Sequence, residues 1–212
     1  EMEFRNLLFS YWNTLYPGES TEKLDRFLEK ITRDRASSSQ ASVDDWYKDA
    51  VVYALYVDLF NKDLEGLKDK LDYLQNLGVN CLWLLPILDS PMRDAGFDIR
   101  RYDRIRAELL GLDEGFELEE QEKVFGNFLK DAHSRGIKVV FDFAINHCSN
   151  EHPWFVEARS SEDNPYREYF IWSKDSSRYG DARIIFKGIE ESNWEADKDG
   201  WNYFHRFFSF QP

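Results

Sequence analysis

The sequence predicts an α/β protein built on a parallel sheet, and three observations support this. Three apolar runs alternate with two helical patterns between residues 46 and 150. Each run is apolar on both faces, which is typical of strands in a parallel sheet covered by helices. Both helical patterns end at a glycine, Gly78 or Gly136, that is followed at once by a β-branched residue entering the next run. These features predict a βαβαβ order.

The individual elements follow from residue spacing. We expect strands over residues 51–60, 79–88 and 137–145, because these runs are rich in β-branched, aromatic and other apolar residues. Apolar residues spaced three or four apart predict the two helices. The first stripe consists of Leu64, Leu67, Leu71 and Leu74, and the second of Val124, Phe125, Phe128, Leu129 and Ala132.

Residues 1–45 have a different pattern, typical of a helical hairpin. The first helix ends at Pro17-Gly18, and Ser20 or Thr21 can cap the second. A serine-rich stretch over residues 35–45 is predicted to be a linker. The helical stripes comprise Phe4, Leu7, Leu8, Tyr11, Trp12 and Leu15, then Leu24, Phe27, Leu28 and Ile31.

Beyond residue 150 the alternation of strands and helices stops. Residues 151–212 contain 15 aromatic residues among 62, together with several short polar breaks. We interpret this segment as a small, irregular and partly β excursion after the third strand. Its aromatic rings fit two roles, the core of a small insertion or platforms for sugar rings, and the sequence leaves both open.

Composition excludes several classes of partner. The formal net charge is −13, whereas nucleic acids and anionic membranes are bound through clustered Lys and Arg. No apolar run approaches the roughly 20 residues that span a bilayer, and the first residues lack the features of a signal peptide. Cys81 and Cys148 are isolated, so neither a disulfide framework nor a metal knuckle is indicated. We therefore expect a cytoplasmic protein.

Candidate functional residues lie where the predicted strands end, because the carboxyl ends of parallel strands meet at one edge of the sheet. Strand two leads to the stretch 94–98, Asp-Ala-Gly-Phe-Asp, and strand three leads through Asp142 to Asn146 and His147. We interpret Asp142 as a buried hydrogen-bonding strut, since a lone charge in an apolar strand needs several partners. His147, in a polar corner, is the stronger functional candidate.

Four motifs carry a resemblance to glycoside hydrolase family 13, the α-amylase superfamily. Asp142-Phe-Ala-Ile-Asn-His147 resembles its first conserved region, and Gly78-Val-Asn-Cys-Leu-Trp-Leu-Leu-Pro86 resembles its second strand. Asp94-Ala-Gly-Phe-Asp98 is similar to the family's Asp-x-Gly-Tyr-Asp stretch, and Gln211-Pro212 to the opening of Gln-Pro-Asp-Leu-Asn. The resemblance covers residues 46–212. It implies that residues 46–150 are the first three βα units of a (β/α)8 TIM barrel and residues 151–212 an incomplete domain B.

Within the family, two branches are the most similar. Asp181 to Phe186, Ser192 to Trp194 and His205 to Ser209 resemble domain B of the enzymes that interconvert maltose and trehalose. The short connection 58–66 and the helical start are more similar to amylosucrases. The substrate implied is an α-linked gluco-oligosaccharide or disaccharide.

Site roles follow from the resemblance, position by position. Asp94 would bind the outer hydroxyls of the glucose in subsite −1, and His147 would contact the same sugar near O6. Phe97, where a Tyr is usual, would pack on the sugar ring. Asp142 would be the structural strut, and Asn146 would offer an oxygen to a structural calcium. No other cofactor is implied.

The resemblance also implies what this chain lacks. The nucleophilic Asp, the acid/base Glu and a third Asp would follow strands four, five and seven, beyond residue 212, so the chain alone is expected to be inactive. Arg101 is a second departure, since relatives often have Asp there. A non-catalytic relative of the superfamily is the alternative to an enzyme.

Overall fold

The computed structural model describes residues 2–16, 18–37 and 45–212. The chain divides into two compact units, residues 1–48 and 49–212. Most of the predicted linker, residues 38–44, and Pro17 lie outside the described residues. Among the described helices, none is both long and apolar enough to cross a membrane.

The first unit contains the two predicted helices, α1 (Met2–Leu15) and α2 (Thr21–Ser37). The Ser20 hydroxyl accepts from the Glu22 N–H at 3.2 Å, so Ser20 supplies the predicted cap. The stripes are less buried than expected. Leu24 is buried, whereas Phe4 remains 65% exposed.

The second unit contains eight short strands and six helices among its described residues, with 3₁₀ turns at 167–169 and 198–200. A further 3₁₀ turn, at 46–49, spans the boundary after residue 48. The strands are β1 (Val52–Leu55), β2 (Cys81–Leu84), β3 (Leu88–Asp89), β4 (Arg101–Ile105), β5 (Lys138–Phe141), β6 (Trp172–Ser173), β7 (Trp194–Ala196) and β8 (Asn202–Phe204). The helices are α3 (Val57–Asn61), α4 (Leu64–Lys68), α5 (Leu71–Asn76), α6 (Ala107–Leu110), α7 (Leu118–Ser134) and α8 (Pro153–Ala158).

The predicted parallel sheet is confirmed. Strands β1, β2 and β5 are neighbours in that order, and all pairings are parallel. The register places Leu55 beside Leu84, and Leu84 beside Phe141. The carboxyl ends of the three strands therefore meet at one edge.

Helices cover one face of this sheet. The buried leucines of α4 and α5, the α7 residues Phe128 and Ala132, and the strand residues Leu82 and Leu84 form one hydrophobic core. On the opposite face, the register row Ala54, Trp83 and Val140 is exposed. A parallel sheet usually has both faces covered. Within the described residues this row is uncovered, whereas Cys81 on the same face is buried.

All three strands are shorter than predicted, and the first run changes structure midway. Strand β1 ends at Leu55, and Val57–Asn61 is helix α3 rather than strand. Val57 is only 1% exposed and packs in the core. Tertiary packing overrides the strand propensity of the β-branched and aromatic residues here.

The second predicted run, 79–88, contains parts of two sheets. Strand β2 ends at Leu84, and Leu88–Asp89 forms β3, which pairs antiparallel with β4. Strand β4 was not predicted, because Arg-Tyr-Asp-Arg-Ile has little apolar alternation. The third strand ends at Phe141, so Asp142 to Asn146 belong to the loop that follows.

The excursion after residue 150 is partly β, as predicted. Strands β6, β8 and β7 form an antiparallel sheet in that order. Its core is aromatic. Phe155, fully buried, stacks on Trp172 at 5.6 Å and meets Phe170 and Tyr203 edge-on at 4.9 Å. We call Phe155, Phe170, Trp172 and Tyr203 the inner cluster.

Candidate functional site

The loop that carries Asp94 is shaped by a buried carboxylate, Asp98. This side chain is 0% exposed and accepts hydrogen bonds from the Ser90 hydroxyl at 2.8 Å and from the backbone N–H groups of Arg93 and Asp94 at 3.1 and 3.2 Å. Several donors are what a buried carboxylate needs in order to be tolerated. Asp98 therefore holds the Asp94 backbone at the edge of the sheet.

Gly96 is required at the turn of this loop. Its φ is +95°, a region that side chains rarely adopt, and a Cβ there would lie 2.8 Å from the Pro86 Cβ. Pro86 follows β2, so the close approach packs the loop against the end of that strand. The motif's glycine thereby fixes where Asp94 and Phe97 lie.

His147 lies beside this loop with both ring nitrogens engaged. Its Nε2 is 3.1 Å from the Phe97 carbonyl, which can only accept, so Nε2 carries the proton. Its Nδ1 then accepts from Asn146 Nδ2 at 3.3 Å. These two contacts fit a neutral imidazole, and a sugar hydroxyl at Nε2 would compete with the Phe97 carbonyl.

The electrostatics agree with that protonation state. Burial lowers the pKa of His147, although the carbonyl of Phe97 and the charges of Asp94 and Asp98 act in the opposite direction. Tyr56, at the end of β1, lies close enough to Asp94 and Asp142 for their charges to raise its pKa, after burial as the larger cause. Tyr56 was not among the predicted site residues.

Gln211 reaches the site from the far end of the chain. It is 0% exposed, and its Nε2 donates to Asp94 Oδ2 at 2.8 Å across 117 positions. Backbone bonds attach the same segment to the loop after β5, from the Asn150 N–H to the Phe210 carbonyl at 2.8 Å and from the Cys148 N–H to the Pro212 carbonyl at 3.3 Å. The end of the excursion thus contacts the sugar-binding carboxylate predicted from the motif.

A second aromatic group lies next to His147. Phe186 stacks on Phe208 at 4.5 Å with rings 4° from parallel, and Phe208 stacks on Phe210 at 5.1 Å. Phe207 lies 5.1 Å from the His147 ring and 6.3 Å from Phe186. All four are half-buried. We call Phe186, Phe207, Phe208 and Phe210 the outer ladder.

Tyr102 fixes the loop from which Asn146 and His147 project. Its hydroxyl lies 2.8 Å from the His147 carbonyl and 3.0 Å from the Ala144 carbonyl, and burial raises its pKa. Neither Tyr102 nor Gln211 was predicted as a site residue. The motif Gln-Pro was visible in the sequence, but its contact with Asp94 depends on the fold of the whole excursion.

The structure brings Asp94, Phe97, Asn146 and His147 together, but Asp142 differs from its predicted setting. Its side chain is half-buried rather than enclosed, and no hydrogen bond or ion pair of its carboxylate is present among the described residues. Its contact is electrostatic, with Tyr56. The buried strut observed is Asp98, and the strut role of Asp142 stays a prediction.

Asn146 was predicted to offer an oxygen ligand to a structural calcium. Asn146 turns its amide nitrogen towards His147, so its oxygen can serve as a ligand, but calcium takes six to eight oxygens. No group of three or more His, Cys, Asp or Glu suited to a metal occurs within residues 2–16, 18–37 and 45–212. The calcium role of Asn146 therefore stays a prediction.

Arg101, the second departure from the motif, is paired locally. Its Nε and Nη2 donate to the two carboxylate oxygens of Asp103 at 3.0 and 2.9 Å. This neighbour holds the pKa of the Arg101 guanidinium above its usual value.

Known proteins similar to this chain point to one family. The family described as "Alpha amylase, catalytic domain" matches residues 29–212. A trehalose synthase/amylase from Mycobacterium tuberculosis (strain CDC 1551 / Oshkosh) is 45% identical over 175 residues, 79% of this chain and 28% of that protein. An oligo-1,6-glucosidase from Heyndrickxia coagulans is 41% identical over 179 residues, covering 79% of this chain and 30% of that protein.

A solved structure extends the similarity to the fold. The trehalose-6-phosphate hydrolase of Bacillus licheniformis superposes with a TM-score of 0.63 at 35% identity, covering 78% of this chain and 30% of that chain. This chain therefore spans less than a third of each of these relatives. The parallel sheet matches the N-terminal part of these TIM-barrel enzymes. The chain belongs to the α-amylase family, as part of its catalytic domain.

Proposed function

We propose that this chain works within a longer retaining enzyme, here called the parent enzyme, which interconverts maltose and trehalose. Asp94 binds the outer hydroxyls of the glucose in subsite −1, Phe97 packs on the sugar ring, and His147 lies close to O6. A retaining enzyme forms a glucosyl–carboxylate intermediate and then transfers the glucosyl group to an acceptor. The two carboxyl groups for this chemistry come from strands beyond residue 212.

The contact that supports the proposal most is the hydrogen bond from Gln211 to Asp94 at 2.8 Å. It attaches the end of the excursion directly to the predicted sugar-binding carboxylate. The outer ladder lies on the same segment and reaches His147 through Phe207. These contacts support a role for residues 181–212 as a lid over subsite −1.

Isomerisation requires such a lid. The intermediate must meet the released glucose before it meets water, so the enzyme has to retain glucose and exclude solvent. Stacked phenylalanines offer an apolar surface that carries no hydrogen-bonded water of its own. The similarity to a trehalose synthase/amylase favours this outcome.

A hydrolase is the second candidate, favoured by the 41% identity to an oligo-1,6-glucosidase. Incubating the parent enzyme with maltose and resolving the products by chromatography separates the candidates. We expect trehalose as the main product and glucose as the minor one. Glucose alone would indicate a hydrolase, insoluble glucan formed from sucrose an amylosucrase-like enzyme, and no turnover a non-catalytic relative.

The isolated chain of 212 residues is proposed to be inactive. Without the nucleophile and the acid/base, binding and proximity effects are all that is left. We expect no hydrolysis of maltose, sucrose, trehalose or p-nitrophenyl α-glucoside above a blank purification. Turnover that Asp94→Asn or Asp142→Asn abolishes would contradict this.

A further inference from the structure

Arg93 joins three segments at the edge of the candidate site. Its Nε lies 3.6 Å from the buried Asp98 carboxylate. Its Nη2 donates to Asn150 Oδ1 at 2.5 Å and lies 3.5 Å from Glu151 Oε1. Its guanidinium carbon is 4.6 Å from the centre of the Phe210 ring. The side chain therefore connects the loop of Asp94, the loop after β5 and the outer ladder.

Ion pairing alone does not account for this arrangement. The Arg93 side chain is 37% exposed and Glu151 is 48% exposed, and an exposed ion pair of this kind contributes about 0–1 kcal/mol. The pair with the buried Asp98, at 3.6 Å, connects Arg93 only to its own loop. A guanidinium, however, is planar and can donate along its edge while an aromatic ring covers its face. Arg93 makes a contact of each kind, a hydrogen bond to Asn150 and a cation–π contact with the Phe210 ring at 4.6 Å.

The position of Phe210 matters because of its neighbour. Gln211 follows it directly and donates to Asp94. The peptide at Phe210 is also held by the Asn150 N–H, and Asn150 is itself bound to Arg93. A shift of the Phe210 ring would therefore move Gln211 relative to Asp94.

We propose that Arg93 is a positioning residue for subsite −1. Arg93 contacts both the Phe210 ring and Asn150 in the loop after β5. These contacts hold the neighbouring Gln211 within hydrogen-bond distance of the Asp94 carboxylate. This inference rests on the proposed role of Asp94 in sugar binding. The alternative is that Arg93 only closes its own loop onto Asp98, in which case its loss lowers stability without a selective effect on the sugar site.

Three variants of the parent enzyme test the proposal. Arg93→Met keeps an unbranched side chain that packs on Phe210 but removes the charge and the donors. Arg93→Lys keeps a cation over the ring. Arg101→Met is the matched control, because Arg101 is similarly exposed and donates to Asp103, and its effect on the excursion is that of its charge on His152.

Two measurements are made on each variant, together with its Tm. The first is the Kd for 1-deoxynojirimycin, a glucose analogue, by calorimetry. The second is the ratio of trehalose to glucose formed from maltose. For Arg93→Met we expect a Kd about threefold to tenfold higher, the range of a lost cation–π contact, and a severalfold lower product ratio. Arg93→Lys should recover most of the Kd, and Arg101→Met should stay within about twofold of the unsubstituted enzyme.

Coupling to Phe210 completes the test. Phe210→Leu should raise the Kd as Arg93→Met does, and the double variant should be no worse than the weaker-binding single variant, because both changes remove one contact. Additive losses would overturn the proposal, as would a lower Tm for Arg93→Met with unchanged Kd and product ratio. If the parent enzyme makes no trehalose, the proposed isomerase fails, and the Kd values still decide the role of Arg93.

Discussion

The inner cluster and the outer ladder belong to the same excursion of residues 151–212, yet their surroundings differ. The inner cluster surrounds Phe155, which is fully buried and contacts the rings of Phe170, Trp172 and Tyr203. The rings of the outer ladder are half-buried and lie beside His147. The core interpretation fits the rings around Phe155, and the sugar-platform interpretation stays a prediction for the outer ladder. The two groups differ in that only the inner cluster has buried members, Phe155 and Tyr203.

The largest expected effect is in the inner cluster. Phe155→Ala in the parent enzyme should lower the free energy of unfolding of the excursion by about 3–5 kcal/mol, because a fully buried ring leaves a cavity. Urea denaturation followed by tryptophan fluorescence measures it, since Trp172 stacks on this ring. A loss below about 1 kcal/mol would mean that the inner cluster is not a core.

A change in the loop beneath the outer ladder should have the next largest effect. Gly96→Ala should destabilise the protein by about 1–3 kcal/mol, because φ is +95° and the added Cβ meets Pro86. It should also raise the KM for maltose, since Asp94 and Phe97 lie on this loop. The control is Gly126→Ala within α7, where a Cβ has no neighbour within 4 Å. That change should stabilise the protein by about 0.5–1 kcal/mol.

The outer ladder should respond in the opposite way to the inner cluster. Phe208→Ala removes a half-buried ring, so we expect a stability loss of only about 1 kcal/mol. The ratio of trehalose to glucose from maltose should fall severalfold, because water gains access to the intermediate. A large loss of stability with an unchanged product ratio would contradict this prediction and show that the Phe208 ring has the role of a core residue.

Acid should lower the stability of the protein through three partly or fully buried histidines. Burial lowers the pKa of His147, beside the outer ladder, and of His152 and His205 in the excursion, from an ordinary value of 6.5. Below about pH 6.5 the unfolded chain takes up protons that the folded chain does not, so stability present above that pH is lost as the pH falls towards the lowered values.

Urea midpoints at pH 7.5 and 5.5 measure this loss. His205→Gln should make the midpoint less sensitive to pH, because His205 is 2% exposed and its charged form is disfavoured by burial. His133→Gln, at an exposed position of α7, is the control. Equal pH dependence in both variants would exclude His205 from the acid response.

The parallel sheet could be predicted from sequence because its signals are local. The apolar runs and the glycines at 78 and 136 can be recognised from a few neighbouring residues each. They predict three parallel strands, and the structure confirms the order β1, β2, β5. The β3–β4 pair could not be predicted in this way. Strand β4, residues 101–105, is polar and lacks an apolar alternation. Its pairing with β3 depends on the turn of the chain at Gly96, which no strand pattern in the sequence indicates.

The candidate residues could be found in part for the same reason. Asp94 and His147 follow apolar strand runs, where polar residues stand out, whereas Phe97 was identified by the resemblance of its motif. Asp98 was not recognised as the strut, because two of its donors are backbone N–H groups of a loop containing the positive φ of Ala95 and Gly96. Gln211 lies 117 positions from Asp94, and no local pattern encodes that contact.

The proposed retention of glucose by residues 181–212 can be measured directly. The parent enzyme is incubated with unlabelled maltose and an excess of ¹³C-labelled glucose, and the trehalose formed is analysed by mass spectrometry. If residues 181–212 keep the released glucose in place while excluding water, the trehalose should carry little label, and Phe208→Ala should increase both the label in trehalose and the yield of glucose. Fully labelled trehalose from the unsubstituted enzyme, or glucose as its sole product, would contradict the role proposed for this segment.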